Sequence, residues 1–262
     1  MVDPAPVRAA DALIVESTYG NRRHDARDPE EALAETINRT AGRGGTVLIP
    51  AFAVGRVHTV LYHLQRLKQA RRIPDLPVFL DSPMAVDAAD IYCDHMQEHR
   101  LTAAECKATC AVATYVQSVE DSKALNRNAV PKVIVSASGM ATGGRILHHL
   151  KSYVSDPRNT VLFTGFQAGG TRGAAMTAGA ESVKIHGEQV PVRAEVLDLH
   201  MLSAHADVDE IMGWLRKFER PPRQTFVTHG EPEAADALRL RIQNELGWAC
   251  AVPEHGQKVE LS

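Results

Sequence analysis

Aromatic residues are scarce in these 262 amino acids, at 5 % of the total, and long hydrophobic runs are missing. The longest apolar stretch, Thr46 to Val54, is half of what a bilayer span needs and contains Pro50, so no segment is expected to cross a membrane. Neither sign of charge dominates: 29 Lys and Arg against 32 Asp and Glu leave a net charge of −3. That balance excludes a histone-like protein that holds nucleic acid by bulk charge, and 44 % apolar residues exclude a disordered chain. The four cysteines, Cys93, Cys106, Cys110 and Cys250, form no CxxC pair and no small-domain disulfide framework. Reduced thiols and a cytoplasmic location are therefore expected. The start, MVDPAPVRAADALIVE, lacks a basic segment followed by an apolar run, so no export signal is expected.

Short β-rich runs alternate with amphipathic stretches, which points to an α/β fold with largely parallel strands. The strand expectations are Ala12–Glu16, Thr46–Pro50, Val78–Asp81, Lys132–Ala137, Thr160–Phe166, Val192–His200, Arg223–Thr228 and Ala249–Val252. Asp28-Pro29-Glu30-Glu31 supplies an N-cap, a first-turn proline and a capping-box glutamate, and Gly42 to Gly45 end that helix. Val57, Val60, Leu61, Leu64 and Leu67 form one apolar helical stripe after Gly55. Asp207 to Glu210 read as a second capping box, and Glu231-Pro232-Glu233 open a last long helix that Gly247 closes.

In open α/β sheets, functional side chains gather where strands end and loops lead into helices. Strand Ala12–Val15 delivers Glu16, the strand over Val192–His200 leads to Ser203 and His205, and the strand over Arg223–Val227 runs into Thr228-His229-Gly230. If these strands are parallel neighbours, one carboxylate and two imidazoles meet at one edge, a set suited to metal binding and proton transfer. The alternative is that Glu16 caps a turn while both histidines hydrogen-bond near helix starts. A further small-residue turn, Ser136-Ala-Ser138-Gly139-Met-Ala-Thr142-Gly143-Gly144-Arg145, precedes a helix over Ile146–Tyr153 and offers backbone N–H groups to an anion. Tight packing explains that pattern equally well. From Asn126 to Arg172 the net charge is +5, with Asp156 the sole acid, which suggests a local track for a polyanion.

LIVESTYGNR, IPAFAVGR, FLDSPMA, VSASGMATGGR, GFQAGGTRG, KIHGEQVPVRAEV, SAHAD and THGEP follow one another in this order. Together they resemble the β-CASP branch of the metallo-β-lactamase superfamily, in particular its bacterial and archaeal RNA-processing enzymes, over essentially the whole chain. The resemblance implies a mixed α/β fold in which a β-CASP domain (residues 21–189) is inserted in a metallo-β-lactamase αββα sandwich (residues 1–20 and 190–262). It makes Glu16 the acid of motif A, His205 the histidine of motif B and His229 that of motif C, where a histidine goes with RNA and a valine with DNA. The implied chemistry is phosphodiester hydrolysis supported by two zinc ions. His229 would ligate zinc, His205 would protonate the departing sugar oxygen and Glu16 would orient its ring. Ser138, Gly139, Arg56, Arg145, Arg172 and Ser203 would steer single-stranded RNA.

One departure is large: no two histidines have HxH spacing, so the family's principal metal motif, HxHxDH, is absent from these 262 residues. The chain is expected to hold zinc weakly or partially and to be inactive alone, with an incomplete sandwich and an uncovered apolar sheet face. A homodimer, or pairing with an N-terminal metallo-β-lactamase half, would cover that face. The alternative function is a non-catalytic RNA-binding or scaffold module. Elsewhere, His95 with His99 and Cys106 with Cys110 share i, i+4 spacing, read as a surface helix face and as simple burial respectively. Asp81 reads as a turn-stabilising side chain.

Overall fold

A computed structural model describes residues 5–261. In chain order its elements begin with β1 (Ala12–Glu16), α1 (Pro29–Gly42), β2 (Val47–Pro50), α2 (Arg56–Gln69), β3 (Val78–Leu80), α3 (Pro83–Asp94) and α4 (Ala103–Ala111). There follow β4 (Thr114–Tyr115), α5 (Val119–Arg127), β5 (Val133–Ser136), α6 (Ile146–Tyr153), β6 (Thr160–Phe163) and α7 (Arg172–Thr177). The last are β7 (Ser182–Ile185), β8 (Glu188–Pro191), β9 (Glu195–Asp198), α8 (Val208–Leu215), β10 (Gln224–Thr228), α9 (Pro232–Leu246) and β11 (Cys250–Ala251). No helix among the described residues is long and apolar enough to cross a membrane.

The chain divides into two compact units, residues 26–204 and the residues up to Asp25 together with His205 onward. Of the segment 1–20 named above, residues 1–4 lie outside the described residues. In the larger unit six parallel strands form one sheet in the order β4-β3-β5-β2-β6-β9. Its central strands β5, β2 and β6 are buried at every position because helices cover both faces. Val47, Ile49, Val133 and Val135 join one core with the Val57–Leu67 stripe of α2, while Leu48, Ile134, Val161 and Phe163 join another with Ile146 and Leu150 of α6. The mixed α/β architecture with parallel sheets is the one the alternating sequence pattern indicates.

Beyond the short edge strand β4, which none of the expected strands covers, two features differ from the sequence reading. The strand expected over Val192–His200 shortens to β9 and pairs with β6, not with the strands that carry Glu16 and His229. Its register is fixed within the larger unit: Glu195 N–H donates to Asn159 O, and the Glu195 carboxylate pairs with Arg39 at 2.7 Å and Arg43 at 2.8 Å. The second is the antiparallel hairpin β7–β8, whose turn residues His186 and Gly187 have φ of 47° and 86°. A two-residue turn with both φ positive matches the right-handed twist of its flanking strands.

The smaller unit is a parallel sheet in the order β1-β10-β11, packed on α8 and α9. Alternation along the strands sends Val15 and Val227 into a core with Ile211, Met212, Leu215, Leu238, Ile242 and Trp248. The opposite sheet face is open: Ile14 is 72 % exposed, beside its register partner Phe226. Two glycines bring the strand ends close. A methyl group on Gly230 would collide with Ser17, and one on Gly20 would collide with the Ala234 carbonyl of α9.

Candidate active site

Glu16 closes β1 and sits in register with Thr228, the last residue of β10. The Ser17 hydroxyl donates to Thr228 O at 2.8 Å, so the turn after β1 and the turn after β10 are held side by side. His229 follows with φ of 55°, a left-handed conformation that histidine tolerates better than most residues. His205 arrives from the other direction, on the segment that enters α8. Asp207 caps that helix, accepting from Asp209 N–H and Glu210 N–H at 2.9 Å each, while Glu210 accepts from Asp207 N–H at 2.8 Å. Asp207 also accepts from His24 N–H at 3.0 Å, and the His24 Nε2–H donates to His205 O at 2.9 Å. Burial pushes the Asp207 carboxyl up, but the backbone N–H groups of Glu210, His24 and Asp209 outweigh it and hold its pKa below the ordinary value.

The three functional groups converge. Ligand atoms of Glu16, His205 and His229 lie within 4.8 Å of one another, and the two imidazole centroids are 5.2 Å apart. The Nδ1 of His205 is 2.9 Å from the Glu16 carboxylate. The Thr18 hydroxyl donates to His229 O at 3.1 Å, leaving its oxygen to accept from His229 Nδ1 at 3.2 Å and, more weakly, from His205 Nδ1 at 3.3 Å. One assignment satisfies all these contacts: both rings carry a proton on Nδ1, and both direct their chemistry through Nε2. Partial burial raises the Glu16 carboxyl, but the Thr18 hydrogen bonds and the charge and hydrogen bond of His205 prevail and hold its pKa below the ordinary glutamate value.

The donor set fits zinc in part. Glu16 and His205 engage each other, so His229 Nε2 is the ligand this arrangement offers most directly, with the carboxylate and second imidazole within reach. A closed structural zinc site takes four protein ligands and a catalytic site usually three.

The remaining sequence-selected residues lie in the larger unit, mainly at the carboxyl edge of its sheet. Ser138 holds the small-residue turn, accepting from Thr142 N–H at 3.2 Å, and Gly139 lies against the half-exposed ring of Phe52. Arg145, expected to contact RNA, clamps the turn through protein acceptors: it binds Asp81 at 2.6 Å, Val116 O at 3.1 Å and Gln117 O at 2.5 Å. Arg172 likewise reaches Lys184 O at 2.5 Å and Ala141 O at 3.0 Å. Arg56, at the start of α2, is buried, and Ser203 lies half-buried beyond β9. Asp81 does more than stabilise its own turn. Fully buried, it accepts from Ser122 at 2.5 Å and His149 Nε2 at 2.7 Å as well as from Arg145. Burial raises the Asp81 carboxyl, but these donors overcome it and hold the group below its ordinary value.

Sequence reasoning missed the roles of Thr18 and His24. The signal for Thr18 was its place between Glu16 and the turn; His24 left no pattern, because its partners lie more than 180 residues away.

A family model described as the Beta-Casp domain matches residues 57–176, and one described as the Zn-dependent metallo-hydrolase RNA specificity domain matches residues 189–253. The chain belongs to the β-CASP family of the metallo-β-lactamase superfamily. It is 41 % identical to Ribonuclease TTHA0252 of Thermus thermophilus, a match covering 90 % of this chain and 55 % of the relative. An RNase J-like protein of Methanocaldococcus jannaschii is 29 % identical over 94 % of this chain and 58 % of its own length. The transcription termination factor FttA of Pyrococcus abyssi is 29 % identical over 100 % of this chain and 43 % of its own. The chain thus spans about half the length of the curated relatives it matches.

Proposed function

We propose that this chain contributes the motif A, B and C residues of a zinc-dependent ribonuclease acting on single-stranded RNA. Its zinc set would be completed by a segment carrying the HxHxDH motif. The observation that carries this reading is the 2.9 Å Glu16–His205 pair beside His229. In this scheme His229 holds zinc through Nε2, with Thr18 fixing its tautomer. Bound zinc supplies positive charge for the phosphoryl oxygens as the phosphodiester breaks. The Glu16 carboxylate stabilises the His205 imidazolium, whose Nε2 proton passes to the departing sugar oxygen. Ser138 and Gly139 offer the turn's hydroxyl and backbone to RNA, and Phe52 offers a ring for a base to stack on. Arg145 and Arg172 shape that turn and add positive charge to it, and Arg56 and Ser203 would contribute further RNA contacts.

The test uses labelled single-stranded RNA with zinc, the 262-residue chain, and a polypeptide bearing HxHxDH supplied in trans. Hydrolysis is expected only with both polypeptides present, and His205→Ala should lower its rate about 10²–10⁴-fold while RNA affinity stays unchanged. Full-rate hydrolysis by the His205→Ala chain overturns the assignment. The second reading, a non-catalytic RNA-binding module, is favoured by the missing HxH pair. It predicts RNA binding that weakens steeply with salt and no hydrolysis under any combination.

A further inference from the structure

The structure holds a second convergence of metal-ligating side chains, in the larger unit. Cys93 lies in the last turn of α3, and Cys106 and Cys110 lie one turn apart on α4. Thr102 and Glu105 form a capping box that starts α4, and the i, i+4 spacing puts both of its thiols on one face. That face meets Cys93: its sulfur is 2.9 Å from Cys110 Sγ and 3.9 Å from Cys106 Sγ, and all three sulfurs lie within 4.8 Å of one another. None is in a disulfide. His95 and His99 do not extend the cluster. α3 ends at Asp94, so the two never share a helical face, and the His99 ring packs at a tilt against Tyr92 with centroids 3.8 Å apart.

We propose that Cys93, Cys106 and Cys110 form a binding site for a thiophilic d10 metal ion of the zinc and cadmium class, held on three thiolates. Three sulfurs in mutual contact are one more than a disulfide uses, and soft cations select this donor type. A metal ion binds here by displacing the thiol protons, so no oxidant is required. The surroundings are aromatic: Tyr92 stacks on His58 and packs at a tilt against His99, and the Tyr115 hydroxyl borders Cys110. The binding step is balanced without an oxidant. Three S–H groups release three protons to buffer, three metal–sulfur bonds form, and a dication becomes a site of net charge −1. No fourth His, Cys, Asp or Glu joins the three sulfurs among the described residues, so water completes the coordination.

The experiment titrates the 262-residue chain, kept reduced with a phosphine, with Cd²⁺ and follows the ultraviolet sulfur-to-cadmium charge-transfer band. An ion at Glu16, His205 and His229 gives no such band, which separates the two sites. The band should saturate at one ion per chain, with about three protons released and affinity falling steeply as pH falls. Cys250→Ser should leave the band unchanged, and Cys106→Ser should weaken binding at least about tenfold. Absence of the band, or a band at full height and affinity in Cys106→Ser, overturns the proposal. Alkylation mapping of the native chain avoids any folding defect in a variant. Cd²⁺ should protect Cys93, Cys106 and Cys110 but not Cys250, and a chelator should reverse this. Equal labelling with and without Cd²⁺ refutes the site.

Discussion

Thr18 has one hydroxyl proton and stands between two imidazoles and a carbonyl. Because the proton goes to His229 O, its oxygen can only accept, and that fixes which nitrogen of His229 is protonated. Thr18→Val keeps the shape and removes this control. The ring ¹⁵N shifts of His229 are expected to move toward a mixture of tautomers, while those of His205, still held by Glu16, change little. Glu16 carries a pH signature. A carboxyl group whose pKa is lower in the folded than in the unfolded state adds stability above its unfolded pKa and loses it as pH falls through the folded one. The stability difference between the native chain and Glu16→Gln should therefore hold down to about 4.5 and close below it, as read by urea unfolding at stepped pH. Asp81 is a stronger case, being fully buried with Arg145, His149 and Ser122 turned onto it. Asp81→Ala leaves a guanidinium without its counter-charge, so a loss of about 3–5 kcal/mol is expected in denaturant midpoint measurements.

At the level of elements, helix α8 and the turn after β10 position the two imidazoles. Asp207→Ala removes the cap of α8 and should cost about 0.5–2 kcal/mol, with the His205 ring signals broadened as its support loosens. Gly230→Ala forces a methyl into Ser17 and should cost about 1–3 kcal/mol, with the chemical-shift changes centred on Ser17 and His229. Much of this level was legible in advance. The eight strands all exist within the stretches marked by β-rich runs, and the capping signals at Asp28 and Asp207 correspond to helix starts. Glu231 marks the start of α9 by the proline after it, and its side chain makes no capping hydrogen bond. The convergence of Glu16, His205 and His229 was legible too, through strand ends and motif order, although the route to it was partly mistaken. Strand neighbours are chosen by cross-strand pairing, which composition does not encode, and the condition that all three strands be neighbours is met by β1 and β10 but not by β9, which pairs with β6. Arginine illustrates the same limit: a basic residue in a turn reads as a surface charge until its acceptors are known, and Arg145 and Arg172 find theirs inside the protein.

For the whole molecule, the open face of the β1-β10-β11 sheet sets the solution behaviour. Ile14 and Phe226 lie side by side there, and an apolar face of this kind invites a covering surface. The 262-residue chain is expected to bind a hydrophobic dye or to self-associate, and Ile14→Thr should reduce either signal with a stability change within about 0.5 kcal/mol. Unaltered dye binding and association state in Ile14→Thr would assign that behaviour to another patch. The smaller unit is also discontinuous in the chain, since Glu16 pairs in register with Thr228. A ribosome adding about 5–20 residues per second needs about 10–40 s to travel between those two positions. Throughout that interval nascent β1 has neither its ladder partner nor the helices that bury Val15, and its bare edge can recruit foreign strands. Whatever chaperone or partner shields the newborn strand β1 therefore acts before any chemistry is possible, because the acid leaves the ribosome well ahead of the imidazoles it meets.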